Sequence, residues 1–244
     1  MLHSLVMSNS WGIIALHGAM SHSGWFETLR DAMEERGVGF RALNRRGCGE
    51  DPIHHGYTDL GVWTQDVVDA VAEYKKRFQR VALLGWCWGG RLAIYTQSLF
   101  KCADCLVLAA PVLARTELIN QRLSAINFDA YDSEQIPVPL DVTYFSNDNE
   151  VQQFIENDPF KRSTNSKAFF AASKELRLKV SDLALPDIPL YTILAKNDVI
   201  VDNEKVRAIV KGNELDEIDG GHALILECPD RIADMVKRFL ERQK

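Results

Sequence analysis

Short apolar runs alternate with stretches of helical periodicity along almost the whole chain. Six runs read as buried strands: WGIIAL (11–16), VGFRAL (38–43), RVALLGW (80–86), CLVLAA (105–110), PLYTILA (189–195) and ELDEID (214–219). They are short, rich in Val, Ile and Leu, and bounded by Gly, Pro, Asn or Asp. Segments of helix length lie between them, at 24–36, 62–78, 89–100, 203–211 and 229–242. In 62–78 the residues Val67, Val68, Val71 and Tyr74 recur at helical spacing, and Lys75, Lys76 and Arg77 close the last turn, where cations suit the helix dipole. Strand–helix alternation of this kind predicts an α/β fold with a mostly parallel sheet flanked by helices.

The alternation breaks between 112 and 185. That stretch has no strong strand run, carries Pro137 and Pro139, and holds two helix-like pieces. The first is expected to start near Ser146–Asn147, with Glu150 at a capping-box spacing and Val151, Phe154 and Ile155 following. The second is expected over 164–178, with Phe169, Ala172 and Leu176 on one stripe. An insertion this long is not a structureless loop. It reads as a helical cap (112–185) over the carboxyl edge of a sheet formed by 1–111 and 186–244.

Composition narrows the class. Hydrophobic residues make up 46% and charged ones 25% of 244, with 15 Gly and 8 Pro, which excludes disordered and low-complexity chains. The net charge of −6 lacks the basic field of a nucleic-acid binder. No apolar run approaches a membrane span, and the first residues carry no cationic, apolar, small-residue leader. Five cysteines, Cys48, Cys87, Cys102, Cys105 and Cys228, are an odd number in a chain large enough to need no staples. Free thiols in a cytoplasmic, reducing compartment are the expectation.

The most informative stretch is RVALLGWCWGGRLAIYTQS (80–98), where a strand enters Gly85-Trp86-Cys87-Trp88-Gly89-Gly90 and leaves directly as a helix. This is a nucleophile elbow with Cys87 at the nucleophile position. The glycines permit a turn so tight that side chains there would collide. The adjoining helix N-terminus favours a thiolate and then an oxyanion. A base and an orienting acid are then required. His222, after the last strand on a Gly220-Gly221 turn, is the base best placed over the same edge. His17, His22, His54 and His55 lie in loops and turns, and His3 lies near the start. Asp198 follows the strand PLYTILA, whereas Asp202 is expected to cap the helix NEKVRAIV. The oxyanion donors should be the backbone N–H of Trp88 and one from the turn His17-Gly18-Ala19-Met20, with Ala19 the best placed.

With these pieces in place the chain resembles the α/β-hydrolase fold, and within it the monoglyceride lipase, lysophospholipase and related esterase branch. The matching stretches are IIALHGAMSHSGWFETL, ALNRRGCGED, LLGWCWGG, AKNDVIVDNEKV and DGGHALILE, spanning 13–227. The resemblance implies a triad of Cys87, Asp198 and His222, with oxyanion donors at Ala19 and Trp88. Cysteine in place of serine is similar to the G-x-C-x-G-G elbow of dienelactone hydrolases. Asn44 and Asp51 replace the Asp and Ser of the family's D-x-R-G-x-G-x-S loop, and its first two strands are missing or reduced to 2–7.

The remaining motifs change little. Cys102-Ala-Asp-Cys105 has no second ligand pair to complete a zinc site, and no G-x-G-x-x-G follows a strand. No metal or cofactor is implied. Met20, Trp25 and Trp88 are candidate substrate-binding residues, although core packing is the ordinary fate of a tryptophan. The segment 161–179 is basic, and its Lys161, Arg162, Lys167 and Lys174 could meet an acidic carrier protein or a CoA phosphate. The expected activity is cleavage of a small acyl ester or thioester through a covalent acyl-enzyme. Acyl transfer to an acceptor other than water uses the same triad, and a non-catalytic binding protein on this fold is the third reading.

Overall fold

The computed structural model describes residues 11–51, 59–132 and 135–243. His3, His54, His55 and the residual strand expected at 2–7 therefore lie outside the described residues. In chain order the elements are β1 (Trp11–Leu16), α1 (Glu27–Glu35), β2 (Gly39–Leu43), α2 (Leu60–Tyr74), β3 (Arg80–Trp86), α3 (Trp88–Phe100) and β4 (Cys105–Ala109). Then come α4 (Glu117–Ser124), β5 (Ile136–Pro137), α5 (Asn149–Asn157), β6 (Thr164–Asn165) and α6 (Lys167–Ser181). The chain closes with β7 (Leu190–Ala195), α7 (Asn203–Ile209), β8 (Glu214–Ile218), α8 (Leu224–Glu227) and α9 (Pro229–Arg242).

The central sheet has the order β2-β1-β3-β4-β7-β8, and every pairing in it is parallel. From β1 the chain steps outward to β2, then crosses back to β3 on the other side of β1. Right-handed crossovers put the helices of these two opposite steps on opposite faces. Accordingly α1 packs on α9, and α2 packs on α3. The reversal of strand order falls between β1 and β3, and in open parallel sheets the crevice at such a reversal is where ligands bind. The residues following both strands, His17–Met20 and Cys87, meet there.

Every strand expected from the apolar runs is present, shifted at most by a residue at either end, but β2 and β8 are not buried as expected, because they form the two edges of the sheet. The helix expected at 62–78 begins earlier, at Leu60, because the Asp59 side chain accepts from Val62 N. It ends at Tyr74, after which single turns carry the chain to Phe78. Asp202 does cap α7, accepting from Lys205 N. Among the described residues no helix is long and apolar enough to cross a membrane.

Between β4 and β7 the expectations need correction in detail. The first helix starts at Asn149, not near 146, because Asp148 is its cap and accepts from Glu150 N and Val151 N. Ser146 turns away, and its hydroxyl donates to Glu227. The second helix is capped by Ser166 and runs to Ser181, later than 164–178, with Phe169 and Leu176 buried as the stripe required. The helix α4 and the two-residue antiparallel pair β5–β6 have no counterpart in the sequence reading.

Candidate active site

At the end of β3 the chain reverses through Cys87, whose φ of 57° and ψ of −122° lie in a region a side chain rarely adopts. Strain of this kind costs about 1–3 kcal/mol and persists only where surrounding structure holds it. The hold is visible: Cys87 N donates to Ala109 O, and Cys87 O accepts from Gly90 N and Val112 N. The glycines are demanded by space. A Cβ on Gly85 would lie 2.6 Å from Gly89 O, and one on Gly89 would lie 2.1 Å from Leu16 O. The elbow is thus locked against β1 as well as against its own helix.

The structure brings His222 and Asp198 together beside this turn. His222 Nδ1 donates to Asp198 Oδ2 at 2.8 Å, with both side chains essentially inaccessible to solvent. Asp198 is fixed in turn because its Oδ1 accepts from Ile200 N and Val201 N. Trp86 Nε1 donates to His222 O, and the Trp86 and Phe145 rings flank the imidazole. The other ring nitrogen, Nε2, is buried without an aligned hydrogen-bond partner on the side of Cys87.

Electrostatics at the thiol are a balance. Burial pushes Cys87 up. Against it act the charge of His222, hydrogen bonding to His222, and the backbone N–H groups of Trp88 and Ala19. The opposing effects win, leaving the thiol below the ordinary cysteine value. Burial likewise pulls His222 down, but Asp198 and Cys87 outweigh it and raise the imidazole well above the usual histidine range. The arrangement therefore favours a thiolate–imidazolium pair. The N–H groups of Ala19 and Trp88 converge on the sulfur, where they could also meet an oxygen carrying developing charge.

Two supports were not foreseen. Arg45, 7% exposed, stacks over Trp63, Trp88 and Phe169 at 4.6–5.2 Å and donates through Nη2 to Ala19 O. It thereby braces both residues that present N–H groups to Cys87. The only hint was its place in the N-R-R-G loop, since stacking across three elements leaves no local pattern. Glu227 accepts from Gly221 N and from the Ser146 hydroxyl, which fixes the turn carrying His222 to the 145–146 segment.

The other histidines have separate tasks. His17 Nδ1 donates to Gly18 O and its Nε2 accepts from Arg45 N, joining the turns after β1 and β2. Burial, then the nearby Arg45 charge, keeps His17 well below the usual histidine value, and so neutral. His22 bonds Asp158 through Nε2. Asn44 and Asp51, the departures in the loop after β2, accept from Ser23 N and Gly47 N respectively.

Cys87 opens into a cavity of about 530 Å³ between the sheet edge and the 112–185 segment. Met20 and Trp88, two of the candidate substrate-binding residues, line it together with Val112, Leu123, Leu140 and Phe169. Trp25 does not. It is fully buried behind Trp86, with Nε1 donating to Asp158 Oδ2 at 2.6 Å. The basic segment divides as well: Lys174 borders the cavity, whereas Arg162 is committed to Gly47 O. All five cysteines are free. Among the described residues no group of His, Cys, Asp and Glu could hold a metal ion.

Comparison with known proteins agrees with this geometry at the level of fold. The monoacylglycerol lipase of Paleococcus ferrophilus superposes with a TM-score of 0.79 at 16% identity, over 96% of this chain and 95% of that one. A soluble variant of Saccharomyces cerevisiae monoglyceride lipase, in complex with a substrate analogue, gives 0.80 at 15% identity, over 97% and 87%. An esterase from Exiguobacterium antarcticum gives 0.69 at 17% identity, over 96% and 92%. No curated protein matches in sequence. The family model described as serine aminopeptidase, S33 matches residues 8–218, and the chain belongs to that family of α/β-hydrolase enzymes.

Proposed function

We propose that this enzyme cleaves a small carboxylic ester or thioester through a covalent thioester at Cys87. The observation that carries the reading is the buried Cys87–His222–Asp198 constellation, with two backbone N–H groups already directed at the sulfur. The Cys87 thiolate attacks the substrate carbonyl carbon. The resulting oxyanion is held by Ala19 and Trp88 N–H, and the Nε2–H of His222 protonates the leaving alcohol or thiol. Collapse of the intermediate leaves an acyl group on Cys87. His222, now neutral, takes a proton from water, which attacks the thioester and releases the acid. Asp198 holds the imidazole in the tautomer that both steps require.

Residues 1–111 and 186–244 form the hydrolase core in this reading, and 112–185 the cap. The cap's apolar contribution to the cavity suits an acyl chain, in keeping with the monoglyceride lipase and esterase branch. A thiol nucleophile must stay reduced, which favours the cytoplasm. Attack by a bound thiol, amine or alcohol in place of water would make the same site an acyltransferase, with an acyl carrier protein or CoA as the source of the acyl group.

The test is intact-mass spectrometry after mixing with short-chain p-nitrophenyl esters and acyl thioesters. An acyl adduct that vanishes in the Cys87→Ala variant supports the reading, and its clearance in water identifies hydrolysis. An adduct that persists until a thiol, amine or alcohol is added identifies transfer. Absence of both adduct and turnover with every substrate would sink the proposal.

A further inference from the structure

Many arginines of the molecule have a partner: Arg30, Arg36, Arg41, Arg46, Arg207 and Arg242 each pair with a carboxylate, and the buried Arg45 is taken up by aromatic rings and the Ala19 carbonyl. Three that border the Cys87 cavity have no carboxylate partner among the described residues. Arg91 lies in the first turns of α3, four residues beyond Cys87, and is 1% exposed. Its Nη1 is buried with no hydrogen-bond partner, and no ion pair reaches it among the described residues. Arg115, after β4, and Arg177, on α6, are half-buried, likewise have no ion pair, and line the Cys87 cavity with Arg91. Burial first, then the like charges of Arg115 and Arg177, pull the Arg91 guanidinium down to about 9. Burial and the Arg177 charge lower Arg115 as well, and the Cys87 charge opposes the effect on both without cancelling it.

Three cations gathered without a carboxylate, with only the Cys87 thiolate as a nearby negative charge, raise the energy of the empty protein, since a buried charge is costly unless paired. An anion entering the cavity would relieve that cost. Four residues of helix advance about 6 Å, so Arg91 springs from the backbone close to the reacting centre. The apolar lining, by Val112, Leu123 and Phe169, leaves room for a short hydrocarbon spacer.

We infer that the substrate is an amphipathic ester or thioester carrying an anionic group, a carboxylate or a phosphate, a few carbons from the scissile carbonyl, and that Arg91, Arg115 and Arg177 bind it. Guanidinium forks match both anions with paired hydrogen bonds. The inference rests on the reading of Cys87 as the attacking group.

The experiment compares mono-p-nitrophenyl glutarate with p-nitrophenyl valerate, which share chain length and leaving group but differ in the terminal charge. The wild-type kcat/KM should favour the glutarate by about tenfold or more, the worth of a charge-assisted hydrogen bond. Arg115→Gln with Arg177→Gln should erase that ratio, as should Arg91→Met if that variant folds. A ratio of one or below in an enzyme that cleaves the valerate would overturn the inference and leave the esterase reading standing. If neither ester reacts, thermal unfolding of the Cys87→Ala protein with free glutarate or inorganic phosphate decides. Stabilisation that disappears with the arginine substitutions supports the anion site without the catalysis, and the stronger of the two ligands identifies the anion. Stabilisation by neither, or stabilisation indifferent to the arginines, overturns it.

Discussion

The two walls of the cavity lean on backbone and side chains in different proportions. On the sheet side the positions are set by backbone. Cys87 sits in a strained turn tied to Ala109, Gly90 and Val112, and Asp198 is held by two main-chain N–H groups. On the other side the 112–185 segment has main-chain ties near its start, at Val112, Ala114 and Thr116, and at Phe145 and Arg162, and is otherwise tied down by side chains. Trp88 Nε1 donates to Ser173 Oγ, Asp158 receives both His22 and Trp25, and the Ser146 hydroxyl donates to Glu227. Backbone ties resist movement because many of them must break together, whereas single side-chain ties release locally. A rigid wall suits the placing of reacting atoms, and a looser one suits admission and choice of substrate.

Substitutions on the sheet side should therefore strike turnover while sparing the fold. Cys87→Ala should lower kcat by about 10⁴-fold or more, with an unfolding midpoint close to wild type. Asp198→Asn should follow at about 10³–10⁴-fold, because the amide leaves His222 in the wrong tautomer. Steady-state kinetics beside thermal melts would check both. If Cys87→Ala retained activity, the backbone-held wall would not be where the chemistry occurs.

The coupling between thiol and imidazole gives a pH-dependent version of the same test. Cys87 is held below the ordinary thiol value, so its thiolate persists to lower pH than that of an ordinary cysteine. Burial pushes Cys102 and Cys105 the other way. Iodoacetamide should accordingly label Cys87 fastest near neutral pH, slowing as pH drops through the depressed value. In Asp198→Asn the imidazolium loses its main support, so the midpoint of the Cys87 profile should rise by about one pH unit or more. Peptide mapping of label against pH measures it, and an unmoved midpoint would uncouple the acid from the thiol.

The same contrast decides what could be read from sequence. The strands β1, β3, β4 and β7 were visible because buried parallel strands are short continuous apolar runs, which the half-exposed edge strands β2 and β8 are not, and 80–98 announced its elbow because only glycine fits at 85 and 89. Asp198 and His222 were legible because each follows a strand end. The covering wall was blurred for the opposite reason. Ser146 carries the local pattern of a cap, yet Glu227, distant in sequence, takes its hydroxyl, and Asp148 caps instead. Trp25 looked like a pocket residue until Asp158 claimed its N–H. The unpaired state of Arg91 is a statement about absent neighbours across three elements, and no local pattern records it.

The covering wall should break at smaller cost to chemistry. Asp158→Ala leaves the buried Trp25 N–H and His22 without their acceptor, which should destabilise the fold by about 1–3 kcal/mol. Because Asp158 follows α5, loosening should concentrate in 145–165, visible as faster hydrogen exchange there than at β3. KM should change more than kcat. Equal loosening of β3 would mean the two walls are one cooperative unit.

Asp202→Asn should have the smallest effect, and it isolates local capping from site geometry. Asp202 lies four residues beyond Asp198 and accepts from Lys205 N at the start of α7, on an exposed surface. Asparagine caps nearly as well as aspartate, so only the ion pair with Lys205 is lost. The midpoint of unfolding should fall by the least of any variant here, and kcat should match wild type. The comparison with Asp198→Asn is then stringent, since both change one carboxylate to an amide within one turn of chain. A large loss of kcat in Asp202→Asn with little loss in Asp198→Asn would reassign the acid, and with it the tautomer argument for His222.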